Sequence, residues 1–293
     1  MFEEDSNISR FTVDDILKKK TYRWQDKRRK TKFFLFTNDR NDTRKWQKRL
    51  QLSAHEEERL DADLDHLLNS FVYNYIEGKD DYRVEQKLTR KDLLAYFDEF
   101  KKDNTLKNYD CFFFFFLTFQ CGEGSKEKGL HCFNDKVNLE ELYKRLDEVP
   151  DMRMKPKVFL VQADSVSLLE RLDGEKSIKE KGTKLVGMRI PHDADRITVV
   201  SSVPSLQEGG LSPMIQAFTQ VIEENDKEIN KRDFFSLTGL MNKKVEAMIK
   251  EFRKKNEDFK HNDLTVPLVT STLTKQLLIT RPTNDNKKAT VEQ

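Results

Sequence analysis

CFFFFFLTF, residues Cys111–Phe119, is an apolar run with no alternation of polar and apolar side chains. An alternating strand buries one face, whereas an uninterrupted apolar strand is typical of the centre of a parallel sheet that has both faces covered. Comparable short runs lie at Lys32–Thr37, Val158–Gln162 and Arg196–Ser201. The sequence therefore predicts an interior strand at 111–119, with neighbouring strands supplied by these runs.

Segments with helical periodicity separate the runs. They are predicted to begin near Leu60, Thr89, Asn138, Ser212 and Phe234. Thr89 with Asp92 makes a capping-box start, and a serine before a proline is typical of a helix N-terminus. A weak strand is predicted at Tyr82–Leu88 and a last strand at Val266–Leu273. About six strands interleaved with about five helices indicate an α/β fold with a largely parallel central sheet.

Composition excludes several classes of protein. The 293 residues include 53 Lys and Arg against 51 Asp and Glu, a net charge of +2, which argues against a dedicated nucleic-acid binder. The 21 phenylalanines exclude a disordered chain. Three cysteines are too few for a disulfide framework, no apolar run is long enough to cross a membrane, and the first residues, MFEEDSNISR, do not form a secretory signal. We expect a soluble, cytoplasmic protein.

The positive charge is concentrated at the start of the chain. Residues 1–50 hold 15 Lys and Arg against 8 Asp and Glu, while the remaining residues hold 38 against 43. The basic residues cluster at Lys18–Lys20 and Asp26–Lys30. Two interpretations stay open: a nuclear address or contact with an anionic partner, or a solvated and flexible leader before the fold.

Five segments together resemble the caspases. KPKVFLVQAD (Lys155–Asp164) is similar to the strand and nucleophile segment of that family, whose signature is Q-A-C-[RQG]-G. DCFFFFFLT (Asp110–Thr118) resembles the strand that ends there in Ser-His-Gly. IPHDAD (Ile190–Asp195) and MIQA (Met214–Ala217) resemble the opening and a helix of the small subunit. VPLVTSTLTKQL (Val266–Leu277) resembles the final strand and the Ser-x-Leu-Thr-Lys-x-Leu segment after it.

The resemblance implies a caspase-like three-layer sandwich: a central, roughly six-stranded, mostly parallel sheet flanked by about five helices. It also implies a division of the chain into parts, namely a short basic leader (1–30), a large-subunit-like part (31–164), an inter-subunit linker (165–190), a small-subunit-like part (191–280) and a polar tail (281–293). No cofactor and no metal are implied.

The catalytic positions depart from the family pattern. Counting from Asp110, the general-base histidine of the family falls on Phe119 and the glycine after it on Gln120, while the nucleophilic cysteine falls on Asp164. Cysteine-protease chemistry needs a thiolate within hydrogen-bond reach of an imidazole. A phenyl ring cannot take up a proton, and a carboxylate is a poor nucleophile toward an amide. The prediction is a pseudo-caspase that is not an enzyme.

The substrate pocket is also predicted to be damaged. The family binds the aspartate of its substrate with arginines, because a guanidinium group matches a carboxylate. Ungapped counting places Glu57 at one arginine position, although a shift in alignment would bring Arg59 there. The other arginine lies in a loop that corresponds here to Ser205–Leu211, which contains no arginine.

Other chemical interpretations are weaker. Cys121 with His131 would form a relocated dyad, and Cys132 with these two would contribute to a metal site, but no zinc-type spacing supports it. Asp164 would serve a different hydrolase, but the sequence gives no second acid or base beside it.

In caspases the final strand lies at the dimer interface, and an exposed strand edge is a template for pairing. The candidate interface residues are Val266, Leu268, Val269, Thr270, Ser271, Thr272 and Leu273. We therefore predict a non-catalytic homologue that regulates an active caspase in apoptosis by heterodimerisation, with activation slightly favoured because this strand is retained.

Several alternatives to this prediction remain. One alternative is an inhibitor or decoy of caspase activity, and another is a residual hydrolase with a rebuilt site. The chain is also a candidate for pairing with a second copy of itself. A separate alternative is that the final strand is only an ordinary core strand and not an interface. A further alternative is a scaffold that is itself cut in the linker, with Asp173 as the candidate processing site.

Overall fold

The computed structural model describes the chain at residues 22, 30–37, 62–76, 78–86, 88–121, 129–132, 135–165, 168, 195–207, 210–229, 231–256, 264–279 and 281. The leader apart from residues 22 and 30, most of the 165–190 linker and nearly all of the tail lie outside these residues. In the described part of the chain, no helix combines the length and the apolar character needed to cross a bilayer.

Six strands form the central sheet, in the spatial order β2-β1-β3-β6-β7-β8, and a small hairpin of β4 and β5 extends from β3. The strands are β1 Thr31–Thr37, β2 Tyr82–Gln86, β3 Cys111–Cys121, β4 Gly129–His131, β5 Lys136–Val137, β6 Lys157–Asp164, β7 Arg196–Ser201 and β8 Leu268–Ser271. The first five strands of this order, β2, β1, β3, β6 and β7, pair in parallel. Strand β8 pairs antiparallel with β7. The predicted mostly parallel, six-stranded sheet is confirmed.

Five helices are described, as the sequence pattern predicted. They are α1 at 62–75, α2 Arg90–Glu99, α3 Leu139–Asp147, α4 Pro213–Lys227 and α5 Phe234–Lys255. Helix α1 contains a π-helical turn at Leu68–Val72 that the periodicity did not predict. The capping box is confirmed, since the side chain of Thr89 accepts a hydrogen bond from the Asp92 amide at 3.1 Å.

The phenylalanine run of β3 supplies two cores. Phe113 and Phe115 face the side covered by α1, α4 and α5, whereas Phe114 and its neighbours on the same face meet α2 and α3. Phe114 stacks between Phe34 of β1 and Phe159 of β6, with ring centroids 5.1 and 4.7 Å apart. The absence of alternation in the sequence is thus explained, because both faces of β3 are buried.

Three features differ from the sequence-based expectations. The last strand is only Leu268–Ser271, shorter at both ends than the predicted Val266–Leu273; at its N-terminal end, Pro267 has no amide hydrogen to donate. The hairpin of β4 and β5 was not predicted, since two or three residues carry no readable period. Tyr22 belongs to the leader, yet it is only 4% exposed and packs in the core beside α1, α4 and α5, so the leader is not separate from the fold at this residue.

Candidate functional site at the carboxyl edge of the sheet

Phe119 and Asp164, the positions to which the family resemblance assigns the catalytic residues, are neighbours in space. Strands β3 and β6 run in parallel, and Phe119 of β3 is the register partner of Asp164, the last residue of β6. Register partners on adjacent strands share a face of the sheet, so both side chains lie on the side of α1, α4 and α5. In open α/β sheets this carboxyl edge is where functional groups gather.

Both side chains are closed off from solvent. Phe119 is 3% exposed and belongs to the apolar core, whereas Asp164 is 0% exposed. A phenyl ring offers no site for a transferable proton. A carboxylate without solvent access has no route to a peptide substrate in this conformation. Gln120 follows at the end of β3, where it pairs with Leu130 of the hairpin.

Gln162 holds the Asp164 carboxylate in place. Its side-chain amide donates to Asp164 Oδ1 at 2.5 Å and to the carbonyl oxygen of Val203 at 2.8 Å. Residues 162 and 164 lie two apart on one strand and therefore share a face. The amide thus links the end of β6 to the segment that follows β7.

A second buried acid, Asp63 of α1, lies near Asp164. Asp63 is 0% exposed and accepts hydrogen bonds from the Ser212 amide, at 2.8 Å, and from the Ser212 hydroxyl. Burial raises the pKa of Asp63 to about 8, the hydrogen bonds from Ser212 oppose the rise, and the negative charge of Asp164 adds to it. Burial therefore favours the neutral form of Asp63.

No second acid beside Asp164 could be recognised in the sequence, and Asp63 supplies one. The sequence held a partial signal, because Asp63 lies four residues before Leu67 and so on the apolar face of α1. Ser212 was predicted only as a helix cap, and it is the N-cap of α4. The contact between Asp63 and Ser212 joins residues 149 apart in sequence, which no local pattern reports.

The remaining substrate-pocket predictions are only partly within the described residues. Glu57, Arg59 and Asp173 lie outside them. In the loop Ser205–Leu211, the Ser205 hydroxyl donates to the carbonyl oxygen of Gln207 at 2.6 Å and the Gly210 amide donates to the same oxygen at 3.1 Å. A Cβ at Gly210 would come within 2.9 Å of the Ser205 hydroxyl oxygen, so a larger residue here would displace the Ser205 side chain.

His131 and Cys132 lie on the β4 hairpin. Cys132 packs in the core on the side of α2 and α3, opposite to Asp164, and the ring of His131 donates from Nδ1 to the carbonyl oxygen of Cys132 at 2.5 Å. The side chain of Cys121 is outside the described part, so the relocated dyad stays a prediction. Among the described residues, no three His, Cys, Asp or Glu side chains are grouped so as to bind a metal ion.

The candidate pairing strand lies at one edge of the sheet. Strand β8 pairs with β7, and among the described strands none covers its other edge. Val269 and Leu273 pack against the core of α1, α4 and α5, while Ser271 is exposed and Val266 is 39% exposed. Leu268 and Thr270, which alternate with these residues along the strand, are half-buried. Just after the strand, the Thr272 amide donates to the Arg196 carbonyl at 2.7 Å.

Comparison with known proteins agrees with this architecture. A pro-caspase structure titled pro-sf-caspase-1 superimposes with a TM-score of 0.61 at 20% identity, covering 89% of this chain and 98% of that one. Caspase-1 from Spodoptera frugiperda gives a TM-score of 0.62 at 20% identity, covering 90% and 95%. At this identity the likeness concerns the fold. No curated protein matches the sequence significantly.

The sequence itself matches a family profile over most of its length. The profile of the caspase domain covers residues 45–278, which include every strand from β2 to β8 and all five helices. The matched region also contains both positions of the carboxyl edge, Phe119 and Asp164. The chain belongs to the caspase domain family.

Proposed function

We propose that this chain is a non-catalytic caspase homologue that regulates an active caspase by pairing with it through the β8 edge. One observation carries the proposal. The register-paired positions where the family resemblance puts the catalytic residues hold Phe119 and Asp164, whereas β8 is still an edge strand of the sheet.

The chemistry of the carboxyl edge supports the first half of this proposal. Loss of the nucleophile alone costs a serine hydrolase about 10⁶ in turnover, and here neither an imidazole nor a thiol stands at the matching positions. Asp63 and Asp164 are two acids at one edge of the sheet, an arrangement that a hydrolase would use. Both side chains are 0% exposed, so the pair does not support a rebuilt hydrolase.

The geometry of β8 supports the second half. An edge strand with free backbone groups and a solvent-facing side is a template for another chain. The core behind it is intact, because Val269 packs against the helices of one face. A partner that docks here would order the active-site loops of a competent subunit and shift its population toward the active form. The same docking would instead inhibit if it displaced productive homodimers.

The proposal is tested by mixing the purified chain with the active caspases of the same organism. We expect co-elution in size-exclusion chromatography and a saturable change in the rate of cleavage of Asp-containing peptides. Activation would show as a rate increase, and inhibition as a decrease. If no active caspase co-elutes or changes its rate, the regulatory function is excluded.

A matched pair of variants tests the surface. Val266→Asp places a charge next to the β8 edge, and Ile229→Asp makes the same kind of change at a side chain that is 99% exposed between α4 and α5. We expect Val266→Asp to weaken pairing about tenfold or more, since an unpaired charge in an interface is costly. Ile229→Asp is expected to pair like the unmodified chain. Equal behaviour of the two variants would remove β8 from the interface.

A further inference from the structure

Tyr22 of the leader forms hydrogen bonds with residues just beyond the end of the candidate pairing strand, β8. Its ring is 4% exposed and lies in the core with residues of α1, α4 and α5. Its backbone amide donates to the carbonyl oxygen of Gln276 at 3.2 Å, a few residues beyond β8. Thus one residue of the leader contacts the small-subunit-like part through both its backbone and its side chain.

The hydroxyl of Tyr22 completes a hydrogen-bonded cluster with two further residues. It donates to Asp195 Oδ1 at 2.6 Å and accepts from the Thr274 amide at 3.1 Å. The Thr274 hydroxyl donates to the same Asp195 oxygen at 2.5 Å. Burial, and then the hydrogen bond to Asp195, raises the pKa of Tyr22 above its ordinary value, so the hydroxyl keeps its proton and remains a donor.

Asp195 is the residue at which the start of β7 meets the end of β8. Its backbone amide donates to the Thr272 carbonyl at 3.0 Å, and its carbonyl accepts from the Lys157 amide of β6 at 2.9 Å. Its φ is 68°, in the left-handed region, which aspartate tolerates better than most residues other than glycine but which still favours contacts that hold it there. The Tyr22 and Thr274 hydroxyls supply such a hold.

Strand β8 depends on contacts at its ends. It has four residues and one neighbouring strand among those described, and antiparallel pairing over so few residues is weak. On its N-terminal side, the Asn242 side chain donates to the Pro267 carbonyl at 3.2 Å. On its C-terminal side, the cluster of Tyr22, Asp195 and Thr274 holds the chain as it leaves the sheet.

We propose that Tyr22 is a positioning residue for β8, through which the leader controls how well this edge pairs with a partner chain. The inference rests on the proposed function, because it concerns the same edge. The leader is then part of the pairing apparatus. Its removal or displacement would loosen β8 and the backbone at Asp195, where β8 meets the start of β7.

The test compares Tyr22→Phe with Tyr75→Phe. Tyr75 is a matched control, because its hydroxyl also donates to a carboxylate, that of Asp226, away from β8. Hydrogen–deuterium exchange is measured on the isolated full chain, over 268–272 and over 158–164 of β6, a reference segment that leaves out Lys157 because its amide bonds to Asp195. A hydrogen bond to a charged group corresponds to about tenfold or more in an equilibrium constant, so we expect Tyr22→Phe to raise exchange at 268–272 about tenfold relative to β6.

Tyr75→Phe is expected to leave that ratio unchanged, even where both variants lose global stability. Thr274→Val provides a second route, since it removes the other hydroxyl from the same Asp195 oxygen, and it should change the ratio in the same direction as Tyr22→Phe. An unchanged ratio in both Tyr22→Phe and Thr274→Val would overturn the inference.

Pairing with an active caspase is then measured with the same variants. We expect the dissociation constant to rise about tenfold for Tyr22→Phe and to stay unchanged for Tyr75→Phe. If the unmodified chain pairs and Tyr22→Phe pairs equally well, the control of pairing by the leader is wrong. If the unmodified chain pairs with no caspase, the proposed function fails, and the exchange ratio alone still decides whether Tyr22 positions β8.

Discussion

The middle of the central sheet and its carboxyl edge have opposite chemistry. In the middle, the rings of Phe34, Phe114 and Phe159 stack across three strands, with no polar side chain between them. At the edge, on the other face, two acids that are 0% exposed, Asp63 and Asp164, lie near each other. Both regions belong to the same three-layer fold.

The difference indicates which region stabilises the protein. Burying a phenylalanine removes a large apolar area from water and is strongly favourable. Burying a carboxyl group costs free energy unless it is protonated or well bonded. The fold is therefore maintained by the middle of the sheet, and the edge is free to change its chemistry. A caspase fold is therefore compatible with a phenyl ring and a carboxylate at the positions that the proposal assigns to the catalytic residues.

The largest expected change in stability comes from removing a ring in the middle of the central sheet. Phe114→Ala should lower the free energy of unfolding by about 3–5 kcal/mol, because it leaves a cavity between Phe34 and Phe159. Urea unfolding followed by circular dichroism measures the loss. Phe235→Ala is the control, since that ring is 55% exposed and its removal should cost less than about 1 kcal/mol. A loss at Phe114 no larger than the control would contradict the stabilising role of the ring stack.

The second prediction is a gain in the free energy of unfolding, from replacing the buried acid Asp63. The pKa of Asp63 is about 8 in the fold against an ordinary 3.8, so its contribution to stability is complete below about pH 4 and is lost as the pH rises through 8. Asp63→Asn removes this dependence. We expect the gain in unfolding free energy at pH 8 to exceed that at pH 5 by about 2–4 kcal/mol.

Asp65→Asn on the exposed side of the same helix serves as the control for this change. Urea unfolding at the two pH values should give equal gains or losses for Asp65→Asn. If Asp63→Asn also shows no difference between pH 5 and pH 8, Asp63 is not a buried, protonated acid.

A smaller loss is expected from the hydrogen bonds within the edge. Gln162→Leu removes the side-chain amide and with it two hydrogen bonds, one to the Val203 carbonyl and one to Asp164 Oδ1. The free energy of unfolding should fall by about 2–3 kcal/mol, the cost of buried polar groups that lose a partner. Gln86→Leu, at the exposed C-terminal end of β2, should change it by less than about 0.5 kcal/mol. Equal effects of the two variants would mean that the polar edge is not held by Gln162.

Much of the fold could be predicted because its signals are local. An apolar run such as Cys111–Phe119 specifies an interior strand by itself, and the Thr89 capping box marks a helix start within four residues. The hairpin of β4 and β5 is too short to carry a period. The length of β8 was overestimated at its N-terminal end because Pro267 interrupts the ladder inside an otherwise strand-like pattern.

The candidate site was less predictable. The family resemblance located Phe119 and Asp164, and the parallel register brings them together. The partners of these positions come from distant parts of the chain: Asp63 from α1 and Ser212 from the start of α4. Tyr22 lies among charged residues that indicate a solvated segment, so its burial follows from tertiary contacts alone. Long-range polar contacts of this kind leave no periodic signal in a sequence.

The central claim is that the carboxyl edge carries no peptidase chemistry, and turnover by the chain alone tests it most directly. The purified chain and its Asp164→Ala variant are incubated with fluorogenic peptides that end in aspartate, beside an active caspase as the positive control. We predict that both release fluorophore at the rate of the buffer blank. Turnover by the unmodified chain that Asp164→Ala abolishes would contradict the claim and identify Asp164 as part of a working site.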